Sequence, residues 1–356
     1  MTTLRFRGPV LPAAEPADLY VVDGKVTLEP VAGAETAAEG WIVPGLVDAH
    51  CHIGLDEHGA VDEETTERQA LADRDAGSLL LRDCGSPADT RWVQDREDLP
   101  RLVRCGRHLA RTRRYIRNFA HEVEPDQLAA YAAQEAEAGD GWIKLVGDWI
   151  SRDDGDLAPS FPQEAFAAAI AAAHEHGARV TAHCFGETVL PWLVEAGIDC
   201  IEHGTGLTLE LVETMAARGT ALVPTAYQLR NFPMYADQGA ERFPVYAGHM
   251  RDLYARRRET VMAAYDAGVP IYAGTDAGGV LPHGIIADEV AELASYGMPA
   301  EYALGAASWR ARGWLGWNAE LDEGAPADFV VYPRDPRADL SVLREPTAVV
   351  LRGQVV

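Results

Sequence analysis

Gly45-Leu46-Val47-Asp48-Ala49-His50-Cys51-His52 is an apolar run that ends in two histidines with one residue between them. On a β-strand side chains alternate faces, so His50 and His52 point one way and Cys51 the other. Neutral imidazole is the commonest protein ligand for divalent metals, and two rings converging at a strand end make half of a metal site. His-x-His also occurs in ordinary strands, so the remaining ligands must come from elsewhere in the chain.

The run opens a regular pattern. Short apolar runs at 45–53, 78–84, 101–108, 141–148, 178–184, 199–203, 220–226 and 269–276 alternate with helix-like segments such as 164–175, 208–217 and 246–267. Alternation of this kind predicts parallel strands joined by crossover helices. Eight units predict a (β/α)8 TIM barrel over residues 45–319, with its active site at the C-terminal ends of the strands. Before it lie β-like pieces, Leu4–Arg7 and Asp18–Val22, with Asp23-Gly24 as a hairpin signal. After it, Phe329–Tyr332 and Ala348–Val356 read as strands again. The economical pairing of these pieces is a small β-sandwich domain built from residues 1–44 and 320–356.

Bulk properties narrow the function. The 356 residues suit one large barrel with an attachment, and the 47% hydrophobic content is ample for its core. A net charge of -24 argues against nucleic acid or an anionic membrane as partner, because phosphate recognition needs a basic face. No stretch approaches a spanning helix, and the start lacks a signal-peptide core. A cytoplasmic enzyme acting on a small molecule is the expectation. The five cysteines, Cys51, Cys84, Cys105, Cys184 and Cys200, show no CxxC pair and read as buried free thiols in a reducing compartment. Among 31 basic residues only Lys25 and Lys144 are lysines. A chain that uses arginine almost everywhere yet sets Lys144 inside the apolar run Gly141–Val146 needs an amine there.

The other strand ends carry matching residues. One strand ends Val180-Thr181-Ala182-His183, the next Ile201-Glu202-His203-Gly204, and the last Ala273-Gly274-Thr275-Asp276-Ala277-Gly278. A buried aspartate or lysine in an apolar strand costs several kcal/mol, of order ~3–5, unless it is paired or ligated. With Val43-Pro44 ahead of the first strand, with Lys144, and with the tail Gly324-Ala325-Pro326-Ala327-Asp328-Phe329-Val330-Val331, these motifs in this order resemble the amidohydrolase superfamily across nearly the whole chain. Within it the chain is similar to the metal-dependent branch of prolidase-like dipeptidases and relatives of imidazolonepropionase.

The resemblance implies a centre of two divalent metal ions, usually zinc. His50, His52 and Asp276 would hold one, His183 and His203 the other, and Lys144, carboxylated by carbon dioxide to a carbamate, would bridge them with a hydroxide. A neutral amine can add to carbon dioxide, and a guanidinium cannot. Asp276 would take the hydroxide's proton and pass it to the leaving group. The expected reaction is hydrolysis of a C–N bond in a linear amide, a dipeptide or N-acyl amino acid. A cyclic amide or lactone is the alternative, as for an imidazolonepropionase- or hydantoinase-like enzyme. A mononuclear deaminase with an uncarboxylated Lys144 and a non-catalytic scaffold remain as rivals. Lys144 counts against the deaminase, and the full ligand set against the scaffold. Barrels of this kind often form homo-oligomers, and nothing in the sequence specifies one.

Substrate residues are sought in two long connections, 109–124 and 227–245, which read equally as cavity walls or surface elaboration. Arg104, Arg107, Arg111, Arg113, Arg114 and Arg117 occur with no acidic residue among them. Arginine holds carboxylates in bidentate geometry, so Arg113, Arg114 or Tyr115 is expected to bind a substrate carboxylate. Tyr227 is a candidate hydrogen-bond donor to the oxyanion, and His283 a candidate substrate contact. His174 and His176 read as helix-end surface residues, Arg256–Arg258 as a solvated helix face, and His58, His108, His121 and His249 have no motif support.

Overall fold

A computed structural model describes residues 3–356. The run that carries His50 forms strand Leu46–Cys51, buried along its whole length. It is an edge of a parallel three-stranded sheet, with Ser78–Asp83 in the middle and Arg101–Arg104 beyond. A second parallel sheet runs in the order His121–Val123, Leu109–Arg111, Trp142–Val146, Arg179–Cys184, Cys200–His203 and Ala221–Val223. Unbroken burial along Ser78–Asp83, Trp142–Val146 and Cys200–His203 fits strands covered on both faces.

One face meets helices. Ile143, Val180, Ile201 and Leu222 pack with Phe166 and Ile170 of helix Gln163–Glu175, Met215 of helix Leu209–Arg218 and Val261 of helix Pro244–Asp266. The other face packs strand against strand through Val47, Leu80, Val103, Trp142, Cys200 and Ala221. Helix starts are capped where the sequence offers a short polar side chain: Asp62 accepts from the Thr65 amide and Thr208 from the Leu211 amide.

Two expected strands differ from the pattern. The run 101–108 stops at Arg104 and resumes after a turn as Leu109–Arg111, in the other sheet. Gly106, at φ +72°, makes that turn against Glu135, whose carboxylate oxygen would lie 2.3 Å from an added Cβ. The run 269–276 is not a strand but a single parallel bridge, Leu222 to Ile271. Pro270 has no N–H to give, and Asp276 sits at φ +58°. The segment is nonetheless bonded on both sides: Tyr272 N–H donates to Leu222 O (3.0 Å), Ala49 N–H to Ala273 O (2.9 Å) and Asp276 N–H to His50 O (2.7 Å). Gly274 allows this approach, since a Cβ there would lie 2.6 Å from the His50 Cβ.

The two ends of the chain share one sheet. Its main path runs Gln354–Val355, Ala348–Leu351, Phe329–Tyr332, Trp41–Pro44, Leu4–Val10, Glu15–Val22, Lys25–Thr27, and Glu35–Glu39 pairs with Leu4–Val10. Asp23 and Gly24, at φ +50° and +76°, turn the hairpin between Val22 and Lys25. Both long connections approach the strand ends. The first contains His121–Val123, and the second is helical, with Pro233 in the first turn of helix Phe232–Gly239. Among the described residues no helix is long and apolar enough to cross a membrane.

Candidate metal centre

His50 and His52 leave the strand on one face, while Cys51 enters an apolar cluster with Ile53, Leu81 and Val93. Each ring is anchored by the nitrogen that faces away from the centre. His50 Nδ1 lies 2.6 Å from Glu202 Oε2, and His52 Nδ1 lies 2.7 Å from Gly85 O. A carbonyl and a carboxylate can only accept, so Nδ1 carries a proton in both rings, and in the neutral ring Nε2 is then left with a lone pair. The two Nε2 atoms are 3.3 Å apart, and each is 3.1 Å from Asp276 Oδ1. Three potential ligand atoms thus converge at ligand-to-ligand spacing, an arrangement that could hold a cation.

The second pair is held differently. His183 Nδ1 is 3.0 Å from His203 Nε2, and His203 Nδ1 is 2.7 Å from the Thr225 hydroxyl. His183 Nε2 is buried with no hydrogen-bond partner among the described residues. The His50 and His203 rings are 5.4 Å apart, so the two pairs adjoin. Lys144 is 1% exposed and lines the same cavity, where Asp276 is engaged by both histidines; Glu202 is engaged by His50 and Arg82. His203, Thr225 and Asp276 all have positive φ, at +65°, +46° and +58°. Left-handed backbone is costly for non-glycine residues, most of all for a β-branched threonine, and such strain gathers at functional sites.

Burial pushes His52, His183 and His203 down, His203 to about 3, which keeps these rings neutral. For His50, burial and Lys144 also act downward, but Glu202 and Asp276 outweigh them and raise it. Burial opposes the Asp276 charge, yet His50 and His52 hold that carboxyl well below its usual range.

Beneath the first pair lies a buried ion pair that sequence reasoning missed. Arg82 and Glu202 are both 0% exposed, 2.7 Å apart, and Arg82 sits over the faces of Trp142 and Trp314 at 4.6 and 4.8 Å. Thr181 also bonds Glu202. Strand alternation puts Glu202 and His203 on opposite faces; the left-handed backbone at His203 brings both to the centre. His50, Cys84 and Glu202 also cluster like metal ligands, but Arg82 already supplies the cation. Asp48 was missed as well. Buried, it accepts from the His50 amide (3.1 Å) and the Thr275 amide (3.0 Å), locking the first strand to the Asp276 turn.

The cavity above the centre, about 520 Å³, contains His50, His52, Lys144, His183, His203 and Asp276 together. Of the expected substrate residues only Tyr115 is in its wall, its ring 5.9 Å from that of His183. Arg113 is exposed at φ +61°, outside the wall. Arg114 instead braces the backbone, donating to Trp149 O and Ala158 O, each at 2.9 Å. Tyr227 also lies outside the wall, under the Arg230 guanidinium (5.0 Å). His283 is turned to Asp73, 2.7 Å away. The arginine in the wall is Arg242, from the second long connection. Alternation cannot place a loop side chain, so no sequence signal favoured Arg242 over Arg113. Two surface expectations also change: Arg256 pairs with Glu187, and Arg257 stacks on Tyr254 at 3.7 Å.

The amidohydrolase family model matches residues 41–356. An uncharacterized protein of Mycobacterium bovis is 57% identical over 353 residues, 99% of this chain and 95% of that one. Two solved structures superpose along the length of the chain. One is a Xaa-Pro dipeptidase with methionine in its active site, with a TM-score of 0.84, 22% identity and 100% of both chains covered. The other is Aspergillus niger ochratoxinase, with a TM-score of 0.81, 19% identity, and 99% of this chain and 95% of that one covered.

Proposed function

The chain belongs to the amidohydrolase family and is a hydrolase acting on carbon–nitrogen bonds, and from that premise we propose that it cleaves a linear amide, a dipeptide or an N-acyl amino acid, at a two-metal centre. His50, His52 and Asp276 would hold one divalent ion, His183 and His203 the other, and a carbamate on Lys144 would lie between them. Zinc is the metal this nitrogen and carboxylate set suits first. The observation that carries the reading is the convergence of two histidine Nε2 atoms and the Asp276 carboxylate within 3.3 Å, with each ring's Nδ1 already committed to an acceptor behind it. The buried, partnerless His183 Nε2 marks the neighbouring pair as incomplete without a further group. Such ions would polarise the amide carbonyl and lower the pKa of an attacking water.

The side chains divide the remaining tasks. Asp276, kept ionised, accepts the water's proton and returns it to the amine nitrogen as the C–N bond breaks. Tyr115 donates a hydrogen bond to the developing oxyanion. Burial first, then the Asp276 charge, raises its phenol, which keeps it a neutral donor. Glu202 and the Gly85 carbonyl hold the first two rings in the tautomer that offers Nε2.

For the scaffold, a (β/α)8 barrel over residues 45–319 with a β domain from 1–44 and 320–356 is supported by two features. Residues 269–277 bond both to Ala221–Val223 and to Leu46–Cys51, and alternate residues of the strands pack on one another inside. A reducing, cytoplasmic setting fits five cysteines that are all free and buried. The test is a turnover screen of metal-loaded enzyme against dipeptides, N-acyl amino acids, cyclic amides and lactones. Release of free amine from linear amides supports the proposal; turnover of cyclic substrates alone overturns it.

A further inference from the structure

The lining of the cavity is specific beyond what amide hydrolysis alone requires. Tyr115, Trp149 and Phe185 surround the His183 ring, with centroids 5.9, 5.4 and 4.3 Å from it. Tyr115 and Trp149 meet edge to face at 4.8 Å. Tyr235, Phe243 and Tyr246 complete the wall from the helical connection. Apart from Lys144, the histidines and Asp276, the charged residues lining the cavity are Glu57 and Arg242. Glu57 is 70% exposed and leans toward His58. Arg242 is exposed at the cavity rim beside Phe243, 5.1 Å from its ring centre, with no carboxylate partner among the described residues.

Some surface arginines pair with carboxylates, as Arg7, Arg68, Arg91, Arg251 and Arg344 do. Arg242 is set apart by its place, since it is the arginine among the residues that line the aromatic cavity. A cation left unpaired at the mouth of an aromatic cavity is available to an anionic ligand, and a guanidinium matches a carboxylate in two parallel hydrogen bonds. The aromatic walls favour a flat ring against them, packed edge to face or offset.

We propose that the site takes aromatic N-acyl amino acids or dipeptides with an aromatic side chain, the ring against Tyr115, Trp149 and Phe185 and the free carboxylate on Arg242. This rests on the amide-hydrolase reading above. In the reaction one water is consumed: its oxygen bonds to the acyl carbon, the C–N bond breaks, and its protons end on the amine and the new acid. Arg242 does not enter that exchange; it selects which amide is presented.

Calorimetry on the metal-loaded enzyme with ligands that lack a scissile amide separates selection from turnover. N-Benzyl-L-phenylalanine carries the rings and the carboxylate, N-benzyl-L-phenylalaninol the rings alone, and N-methylglycine the carboxylate alone. The acid should bind the wild type about tenfold tighter than the alcohol, the order expected for a charge-assisted pair. Arg242→Gln, at an exposed position, should abolish that difference, and Trp149→Leu should weaken acid and alcohol alike. N-Methylglycine should bind at least tenfold more weakly than the ringed acid. Equal binding of acid and alcohol to the wild type, a difference that survives Arg242→Gln, or N-methylglycine binding as well as the ringed acid overturns the proposal. Turnover of N-benzoyl-L-phenylalanine is read separately: its absence together with intact binding selectivity condemns the amide reading and leaves the ligand preference standing.

Discussion

The two histidine pairs stand side by side at the strand ends, yet the protein holds them by different means. His50 and His52 are each fixed from behind by a buried acceptor, and Asp276 closes a triangle with sides of 3.1–3.3 Å. His183 and His203 share one anchor, the Thr225 hydroxyl, and His183 keeps a buried nitrogen with no partner among the described residues. The first half is assembled by the polypeptide itself; the second leaves that nitrogen open to a further group. Preorganised ligands lose less freedom on binding, so the first half should bind metal more tightly, and the second should depend on the carbamate of Lys144.

The most severe way to break this asymmetry is Asp276→Asn, which removes both a proposed ligand and the proposed proton acceptor. It should lower kcat/KM by about 10³-fold or more and deplete the first metal in elemental analysis. A sharper probe is Glu202→Gln. It leaves every proposed ligand in place but loosens His50 and strands the Arg82 charge in the interior. First-site metal affinity should fall ~10–100-fold, and thermal stability should drop by several kcal/mol, ~3–5. Unchanged affinity would show that the tautomer of His50 is set elsewhere. Thr225→Val frees His203 alone, so it should weaken the second metal by about tenfold and spare the first.

The smallest effect is one of pH. His249 binds Asp156 (2.9 Å) and Glu187 (2.9 Å), tying helix Pro244–Asp266 to the loop beyond His183. The hydrogen bond to Glu187 leads in raising His249 to about 9, and the bond to His249 leads in lowering Glu187 to about 2. A raised histidine stabilises the fold fully below its ordinary value near 6.5 and loses that contribution as pH climbs through about 9. A depressed glutamate contributes above about 4.5 and loses it as pH falls through about 2. Hydrogen exchange across residues 185–189 should therefore be slowest between about pH 4.5 and 6.5 and quicken toward 9 once corrected for intrinsic rates. His249→Asn should flatten the alkaline limb, while strand Leu46–Cys51, which carries His50, stays indifferent.

The same contrast marks what could be read before any coordinates existed. Strand alternation and strand order bring His50, His52, Lys144 and His183 to one cavity, while His203 and Asp276 enter it from left-handed backbone that the pleat does not describe. That strands from the two chain ends share a sheet is legible from their sequences, though Trp41–Pro44, on which Phe329–Tyr332 pairs, is not among the strands they announce. What hides is whatever departs from regular backbone. His203 turns to the centre through its own left-handed backbone while Glu202 keeps the face of Cys200, the 101–108 run breaks at Gly106, and the segment before Asp276 gives up strand geometry to approach His50. Arg242 takes the wall position expected of Arg113 or Arg114 because loop backbone, not residue type, decides what faces the cavity.

The central claim is that one metal site is built in and the other depends on Lys144. It is tested most directly by calorimetric titration of metal-free protein with zinc, with and without bicarbonate, in the wild type and in Lys144→Gln. Two successive sites are predicted: a tighter one unaffected by bicarbonate and retained in Lys144→Gln, and a weaker one that needs bicarbonate and is lost in the variant. A single site in the wild type, or a second site indifferent to both bicarbonate and Lys144, would contradict it.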